Sequence, residues 1–409
     1  MTSKIASPNV LKSQSQGLIT SPPLSLYIHI PWCLKKCPYC DFNSHEIDDS
    51  NVSVLEAEYL DGLIRDLEVA LPQVWGRKIV SIFFGGGTPS LFSARSIDKI
   101  LTIIRTLLPL EHYAEVTLEA NPGTFEAQKF ADFRAAGINR LSIGIQSFNP
   151  LYLQQLGRIH NDREAHRAVE IAQRNFNNIN LDLMYALPNQ SLEKAYNDIK
   201  TACSFGVQHI SAYQLTLEPN TLFHHYPPSL PNEDLSAEIQ LKIEEELESK
   251  GYINYEISAF SQQGYMSQHN LNYWLYGDYL GIGAGAHSKI SSAEKIVRQM
   301  RYKNPREFLA KAALNTIDMD TLIQEQHEVK LADRQFEFLM NALRLTEGFE
   351  IEMFHQRTGS LLTFIQRQLD ESIQRGLMIR DHQRIIPTYT GRRFLNDLLQ
   401  IFLVEESSS

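Results

Sequence analysis

The 409-residue sequence predicts an α/β fold, a partial (β/α)6 barrel followed by a C-terminal, mostly helical domain that is winged-helix-like. Strand-like and helix-like apolar patterns alternate six times between Leu24 and Leu217, which favours a parallel sheet. Polar motifs follow the predicted strands, and barrels of this kind carry their chemistry at the C-terminal strand ends. Beyond about residue 330 the pattern changes to three helices and a hairpin, which predicts the second domain.

The spacing of apolar residues marks the individual strands and helices. The predicted strands cover residues 26–30, 79–84, 113–120, 141–145, 179–185 and 210–215. Helical spacing predicts helices over 55–71, 97–107 and 192–204, and Gly137 is expected to end another helix. An acidic amphipathic helix over 233–250 and a strand over 255–258 are predicted to follow the sixth strand.

Changes in composition divide the chain into four segments. Residues 1–23, which carry Ser, Pro, Lys and Gln, are expected to form a disordered tail without a signal-peptide core. Residues 24–290 form the predicted barrel with its extension, and the charged, unpatterned residues 291–330 are expected to connect it to another unit. Residues 331–409 form the predicted winged-helix-like domain, with three helices over 336–345, 351–358 and 361–373, a hairpin over 378–387 and a closing helix over 394–403.

Charge and hydropathy argue against two classes of partner. The net charge is -10, and residues 333–403 contain nine arginines and nine acidic residues without a basic stripe, so we expect no nucleic acid partner. No apolar run reaches the roughly 18–20 residues that span a bilayer, so no transmembrane segment is expected. Four cysteines in this length suit a reducing compartment, which predicts a cytoplasmic protein.

Three of the four cysteines lie within eight positions, as Cys33, Cys37 and Cys40. A C-x3-C-x2-C loop can direct three thiolates to one metal centre. An iron–sulfur cube has four irons, so three cysteines leave one iron open to a ligand that is not protein. A zinc site completed by His45 is the alternative, although closed zinc sites favour C-x2-C pairs. The spacing is typical of radical S-adenosylmethionine (SAM) proteins.

Other polar motifs end the predicted strands after the cysteine loop. The glycine turn at 85–87 ends the second strand and would let a ligand approach its backbone closely, although most such turns are simply tight turns. Polar residues at the later strand ends are either surface caps or contacts for a zwitterionic, ribose-bearing cofactor. These are Glu119, Gln146 and Asp182, with Arg158 a short way downstream.

The sequence resembles the HemW heme-chaperone family, on the basis of Tyr27, the cysteine loop, the GGGTPS turn, the strand-end residues and an HNLNYW segment. The resemblance runs from about residue 24 to the C-terminus and implies a radical-SAM barrel. It implies that Cys33, Cys37 and Cys40 hold a [4Fe-4S] cluster. The contacts that it implies for S-adenosylmethionine are Tyr27, Tyr39, Gly86, Gly87, Thr88, Glu119, Gln146, Arg158, Asp182 and Thr216.

The same resemblance assigns heme binding to the HNLNYW segment, through His269, Asn270, Tyr273 and Trp274. Imidazole is a common axial ligand of heme iron, but these residues could equally pack the edge of the barrel. The related oxygen-independent coproporphyrinogen III oxidases have a fourth cysteine where this chain has Phe42, and a longer arm before the cluster.

Three function classes follow from these observations. The first expectation is a chaperone that delivers heme to an acceptor protein, such as a membrane respiratory complex. The second is an oxidase-type radical SAM decarboxylase acting on a porphyrinogen, and the third is a zinc-stabilised regulatory module. Whether the chain is an enzyme is left open by the sequence.

Overall fold

A computed structural model describes residues 18, 20–122 and 127–403. Most of the predicted tail over 1–23 lies outside the described residues. No helix in the described part of the chain is long and apolar enough to cross a membrane.

A twelve-stranded mixed sheet forms the body of the molecule, and a three-stranded sheet and a two-stranded sheet accompany it. In chain order the strands are β1 (Leu24–Ile30), β2 (Trp32–Cys33), β3 (His45–Glu46), β4 (Ile79–Gly86), β5 (Leu110–Ala120), β6 (Arg140–Gln146), β7 (Ile179–Tyr185), β8 (His209–Gln214), β9 (Ile253–Glu256), β10 (Ala259–Ser261), β11 (Asp278–Ile282), β12 (His287–Ser291), β13 (Ile296–Arg301), β14 (Ile323–Glu328), β15 (Phe349–Glu350), β16 (Met378–Arg380) and β17 (Arg384–Pro387).

The order of strands in the large sheet is β14-β13-β12-β11-β1-β4-β5-β6-β7-β8-β10-β9. Strands β1 and β4 to β8 are parallel neighbours, which confirms the six predicted barrel strands. Strand β11 adds a further parallel neighbour to β1, and the flanking strands are antiparallel. The carboxyl ends of the central strands therefore meet at one edge of the sheet.

The described residues form α-helices between the strands of this sheet and in the C-terminal region. They are α1 (Val52–Val74), α2 (Ala94–Leu107), α3 (Ala127–Ala136), α4 (Pro150–Gln155), α5 (Asp162–Asn175), α6 (Leu192–Ser204), α7 (Leu222–His225), α8 (Glu233–Ser249), α9 (Gln268–Trp274), α10 (Pro305–Ala312), α11 (Leu331–Ala342), α12 (Ile351–Thr358), α13 (Gln366–Gln374), α14 (Tyr389–Arg393) and α15 (Leu395–Gln400). Local capping sets several helix starts. Asn161, for example, begins α5 with a capping box to Glu164.

The central strands have one apolar and one polar face. In β1, Leu26 and Ile28 belong to the main hydrophobic core beneath the helices, whereas Ser25 and His29 alternate with them on the other face. The Ser25 hydroxyl lies 2.7 Å from that of Ser81 on β4, so the polar face continues from strand to strand. We call this polar side of strands β1 and β4 to β8 the inner face, and the candidate site lies on it.

The segment 291–330 is more regular than the sequence predicted. It contains β13, α10 and β14, and its two strands extend the large sheet. The charged residues of this segment hid its apolar periodicity, because they pair with residues that are distant in the sequence. Arg301 is buried against Asp66 of α1 at 2.9 Å, and Arg298 binds Glu337 of α11 at 2.8 Å. The unit boundaries near 290 and 331 remain predictions.

The prediction of one strand over 255–258 was also inexact. The chain forms two short antiparallel strands there, β9 and β10. In the C-terminal region, helices α11 to α13 pack with the sheet β15-β17-β16, and the predicted hairpin is the β16–β17 pair. Its core contains Phe338, Phe349 and Phe354, with edge-to-face ring contacts of Phe338 at 4.9 and 5.4 Å.

Candidate functional site

A cavity of about 390 Å³ opens at the carboxyl ends of the parallel strands. It brings together most of the residues that the sequence singled out on separate elements. From that set, the lining includes Cys33, Cys37, Tyr39, Cys40, Gly86, Gly87, Thr88, Glu119, Gln146, Arg158, Asp182 and Thr216. Ser142, Met184 and Tyr213 also line it but were not predicted. Their alternation within strands is the signal that could have identified them, since it places them on the inner face.

The cysteine loop is held against the rest of the cavity wall by close packing. The Phe223 amide of α7 donates to the Pro38 carbonyl at 3.0 Å, and the rings of Tyr39 and Phe223 are 6.5 Å apart. On another side, a Cβ added to Gly157 would lie 2.9 Å from Pro38, so the backbone approaches the loop closely there. The loop is therefore fixed by contacts outside the cysteines themselves.

All three thiols have hydrogen-bond contacts with residues of the cavity, and Cys40 Sγ lies 3.8 Å from Ser44 Oγ. Thr88 Oγ1 donates to Cys33 Sγ at 3.4 Å, and Arg158 Nη1 donates to Cys37 Sγ at 3.5 Å. Burial raises the pKa of the Cys33 thiol to about 11, and it raises that of Cys40 as well. Sulfur atoms with directed donors are the environment that tunes iron–sulfur clusters, so the donor set suits a three-cysteine cluster.

The zinc alternative needs His45 as a fourth ligand. This imidazole lies beside Lys36 and the backbone of Lys303, and it is not one of the residues that line the cavity. Burial and the Lys36 charge lower its pKa. The geometry therefore favours a cluster with an open site over a Cys3His centre.

The glycine turn has a structural requirement as well as a place in the cavity wall. The Gly87 amide donates to the Ile30 carbonyl and the Thr88 amide to the Trp32 carbonyl, each at 2.7 Å. A Cβ on Gly87 would lie 2.5 Å from the Trp32 carbonyl oxygen, and Gly86 has a φ of 117°. Only glycine allows the two backbones to approach so closely, and this contact joins the end of β4 to β2, which contains Cys33.

Two carboxyl groups and one guanidinium group in the cavity have unused bonding capacity. Glu119 accepts from the Gly86 amide at 3.2 Å, and Asp182 accepts from Ser142 and Asn180 at 2.8 Å each. Burial, and then the Asp182 charge, raise the pKa of Glu119 to about 8, and burial raises that of Asp182. Among the described residues no lysine or arginine forms an ion pair with either carboxyl.

Arg158 completes this set from the other side of the cavity. Its Nη2 donates to the Gly144 carbonyl at 2.7 Å, but its buried Nε has no hydrogen-bond partner among the described atoms. A guanidinium group in the wall of a cavity that also holds two acids without an ion pair can bind a zwitterion that offers both a carboxylate and hydroxyl or amino groups.

Of the remaining residues predicted to contact S-adenosylmethionine, some line the cavity and one does not. Gln146 lines the cavity with a φ of 66°, an uncommon conformation for a residue other than glycine. Thr216 also lines it and donates to Glu218 at 2.8 Å. Tyr27 lies outside the lining, where its ring stacks on Phe83 and burial raises its pKa.

The HNLNYW segment forms most of α9 and lies apart from the cavity. His269 Nδ1 is 3.1 Å from Ser81 Oγ on the inner face, and its ring stacks on Phe83 with centroids 4.8 Å apart. The ring of His269 also lies 6.3 Å from that of Tyr27, and a Cβ on Gly85 would meet Phe83 at 2.9 Å, so His269 is one aromatic ring removed from the glycine turn. We call this region of the inner face the α9 end.

The other residues of the segment pack around the same helix. Half-buried Tyr273 packs on Tyr279 at 5.2 Å, and Arg344 lies over the Trp274 ring at 4.4 Å. The buried indole Nε1 of Trp274 has no hydrogen-bond partner among the described atoms, and Asn270 donates its amide to the cap residue Ser267. The structure thus does not bring these residues together with the cavity.

Comparisons with known proteins agree with this architecture. The sequence pattern of the Radical SAM superfamily matches residues 27–202, and that of the HemN C-terminal domain matches residues 329–394. The heme chaperone HemW of Escherichia coli (strain K12) is 44% identical over 392 residues, which cover 95% of this chain and 100% of the relative. The heme chaperone HemW of Haemophilus influenzae is 45% identical over 391 residues, which cover 94% and 99%.

One solved structure resembles nearly the whole molecule. The radical SAM enzyme coproporphyrinogen III oxidase (HemN) from Escherichia coli matches with a TM-score of 0.78 at 21% sequence identity. The match covers 93% of this chain and 90% of that chain. A likeness at this identity shows the fold, and it confirms the predicted α/β fold class.

Proposed function

The chain belongs to the family of HemW heme chaperones within the radical SAM superfamily, and from this premise we propose that it binds heme and delivers it to an acceptor protein. The proposal includes a [4Fe-4S] cluster and S-adenosylmethionine as resident cofactors. The observation that carries it is the cavity in which three thiols meet Glu119, Arg158 and Asp182.

In this proposal Cys33, Cys37 and Cys40 would hold the cluster, which would supply an open iron for S-adenosylmethionine. Arg158, with its unpaired Nε, would bind the carboxylate, while Glu119 and Asp182 would accept from amino or hydroxyl groups. The close backbone of Gly86 and Gly87 leaves room for the ligand. The remaining contacts that we propose are Tyr27, Tyr39, Thr88, Gln146 and Thr216.

Heme is proposed to bind at α9. The Nδ1 of His269 is held by Ser81, which leaves Nε2 as the nitrogen for an axial bond, a common arrangement for metal-binding histidines. Asn270, Tyr273 and Trp274 are half-buried on the same helix and would contact the macrocycle. The buried indole N–H of Trp274, which has no partner among the described atoms, would become a further donor for a polar group of the ligand if the local packing opens.

The alternative function is that of an oxidase acting on coproporphyrinogen III. Phe42 argues against it, because this side chain is 58% exposed at the cavity wall in the position where the oxidases carry a cysteine. We further propose a cytoplasmic location and an acceptor that is a heme protein, such as a membrane respiratory complex. No nucleic acid is proposed as a partner.

One anaerobic experiment separates the two functions. The protein is reconstituted with iron and sulfide, and then incubated with heme or with coproporphyrinogen III and S-adenosylmethionine. We expect a heme absorbance band that co-elutes with the protein in stoichiometric amount, and no porphyrinogen consumption. Catalytic loss of coproporphyrinogen III without heme uptake would favour the oxidase instead.

A further inference from the structure

A continuous series of buried polar groups runs along the inner face from the cavity to the start of α9. Asp182 Oδ1 lies 2.8 Å from Asn180 Nδ2, and Asn180 Oδ1 lies 2.6 Å from His209 Nδ1. His209 Nε2 lies 2.8 Å from Tyr255 Oη, which is 3.3 Å from the Ser267 amide nitrogen. Every side chain between the two ends is therefore in contact with the next.

A backbone amide at the α9 end is a fixed donor, and it sets the direction in which each hydrogen bond of this series is donated. The backbone amide of Ser267 can only donate, so Tyr255 Oη accepts from it and directs its own proton to His209 Nε2. His209 is then the Nδ1–H tautomer and donates to Asn180 Oδ1. This places the Asn180 amide NH2 group toward Asp182, which accepts from it.

The orientation of Asn180 is thereby coupled to the protonation of Asp182. If the amide were reversed, its Oδ1 would face Asp182, and the contact would be favourable only with a protonated carboxyl. Its NH2 group would then face His209 Nδ1, which could accept only in the other tautomer. The tautomer of His209 thus favours the arrangement in which Asp182 is an ionised acceptor, in the same sense as Ser211, which donates to Asn180 Oδ1 at 3.1 Å, and Ser142, which accepts from Asn180 Nδ2 at 2.7 Å.

We propose that His209 is a positioning residue that acts through Asn180 to keep Asp182 oriented and ionised for a hydroxyl group of S-adenosylmethionine, and that Tyr255 fixes the tautomer of His209. This inference rests on the proposed function of the cavity. Burial strongly lowers the pKa of His209, which keeps the imidazole neutral, as the series requires.

Other groups also act on Asp182 from the neighbouring strands. Glu119 on β5, Arg140 on β6 and Tyr213 on β8 interact with it electrostatically, and Ser142 donates a hydrogen bond to it, whereas Ser211 donates to Asn180 Oδ1 at 3.1 Å. All of these stay unchanged when His209 or Tyr255 is replaced. A difference between the pH profiles of such variants and the parent therefore reports on the polar series.

The test measures the affinity of the cluster-loaded protein for S-adenosylmethionine by calorimetry, as a function of pH, in three variants. His209→Phe removes the imidazole donor, and Tyr255→Phe removes only the hydroxyl that fixes its tautomer. Tyr252→Phe is the matched control, because Tyr252 is also buried but donates to the Val207 carbonyl, outside the series.

We expect about a five- to tenfold loss of affinity at neutral pH in His209→Phe and about a two- to threefold loss in Tyr255→Phe, as for single hydrogen bonds. In His209→Phe the loss of binding at low pH should begin about one pH unit higher, since the protonated carboxyl is no longer disfavoured. Tyr252→Phe should match the parent.

Affinities and pH profiles of His209→Phe and Tyr255→Phe that equal those of Tyr252→Phe would overturn the inference. An equal loss in Tyr252→Phe and Tyr255→Phe would also overturn it, because the effect would then come from general destabilisation. If His209→Phe does not fold, Tyr255→Phe and its control still decide between these outcomes. A parent protein that does not bind S-adenosylmethionine would instead contradict the proposed function.

Discussion

The two ends of the inner face differ in how far their polar groups are satisfied. At the cavity end, Glu119 and Asp182 lack a cationic partner among the described residues, and the buried Arg158 Nε lacks a hydrogen-bond partner among the same residues. At the α9 end, His269 is bonded to Ser81, and Glu115 accepts from three groups at the start of the helix. The cavity end therefore keeps the bonding capacity that the proposed cofactor would use.

The α9 end, in contrast, is already held together by its own contacts. Asn272 of the HNLNYW segment donates to Ser25 Oγ at 2.8 Å and to the Asp278 carbonyl at 2.9 Å. Burial, and then the Arg140 charge, lower the pKa of His269 to about 3. A heme ligand there would require local movement of α9, so we expect substitutions at this end to have smaller effects than those at the cavity end.

The largest effect is expected at the cysteine loop. Cys37→Ala removes one of three cluster ligands and should abolish the visible absorbance of the reconstituted cluster while the protein stays folded. Iron and sulfide analysis with circular dichroism measures both. The matched control is Cys203→Ala on α6, which should keep the full cluster. Stoichiometric zinc without sulfide in anaerobically purified protein would contradict the cluster.

A second effect follows from the unpaired acid at the cavity end. The pKa of Glu119 rises from its ordinary 4.5 to about 8 in the folded, ligand-free protein. Between these values the folded state binds more protons than the unfolded state, so stability falls as pH rises, by at most about 1.4 kcal/mol per pH unit. Glu119→Gln should remove this contribution.

The contribution of Glu119 to stability is followed through the apparent Tm of the ligand-free protein at pH 5, 6.5 and 8. We expect the Tm of the parent to fall more steeply across this range than that of Glu119→Gln. Glu238→Gln, an exposed substitution on α8, is the control and should keep the slope of the parent. Equal slopes of Tm against pH in the parent and in Glu119→Gln would mean that folding does not raise the pKa of Glu119.

Sequence patterns were sufficient where each signal is local. The apolar runs located the six parallel strands, and the spacing of Cys33, Cys37 and Cys40 indicated the metal-binding loop. The segment 291–330 was not predicted, because Arg301 is buried only through its pairing with Asp66, more than two hundred positions away. Apolar periodicity cannot detect such a pair.

The polar inner face illustrates the same limit within the site. Asn180 and His209 alternate with apolar residues in their strands, a pattern that also describes a strand with one solvent-exposed face. In the folded chain both are buried, and His209 lies between Asn180 and Tyr255 of β9. The assignment of Tyr27 as a cofactor contact rested on resemblance, and its ring lies behind the cavity against Phe83. The ligand roles of these residues remain predictions.

The smallest effect is expected for His269, where a ligand must compete with existing contacts. His269→Ala removes the proposed axial nitrogen but also releases α9 from Ser81 and Phe83, so part of the lost affinity is offset. We expect heme to bind about tenfold more weakly, which corresponds to about 1.4 kcal/mol, with an altered Soret band and an unchanged cluster spectrum. Heme titration of the cluster-loaded protein measures both.

His225→Ala on the exposed helix α7 is the control, since it removes an imidazole outside the inner face. Equal heme affinity and an equal Soret band in the parent and His269→Ala would show that the HNLNYW segment packs the barrel without ligating heme.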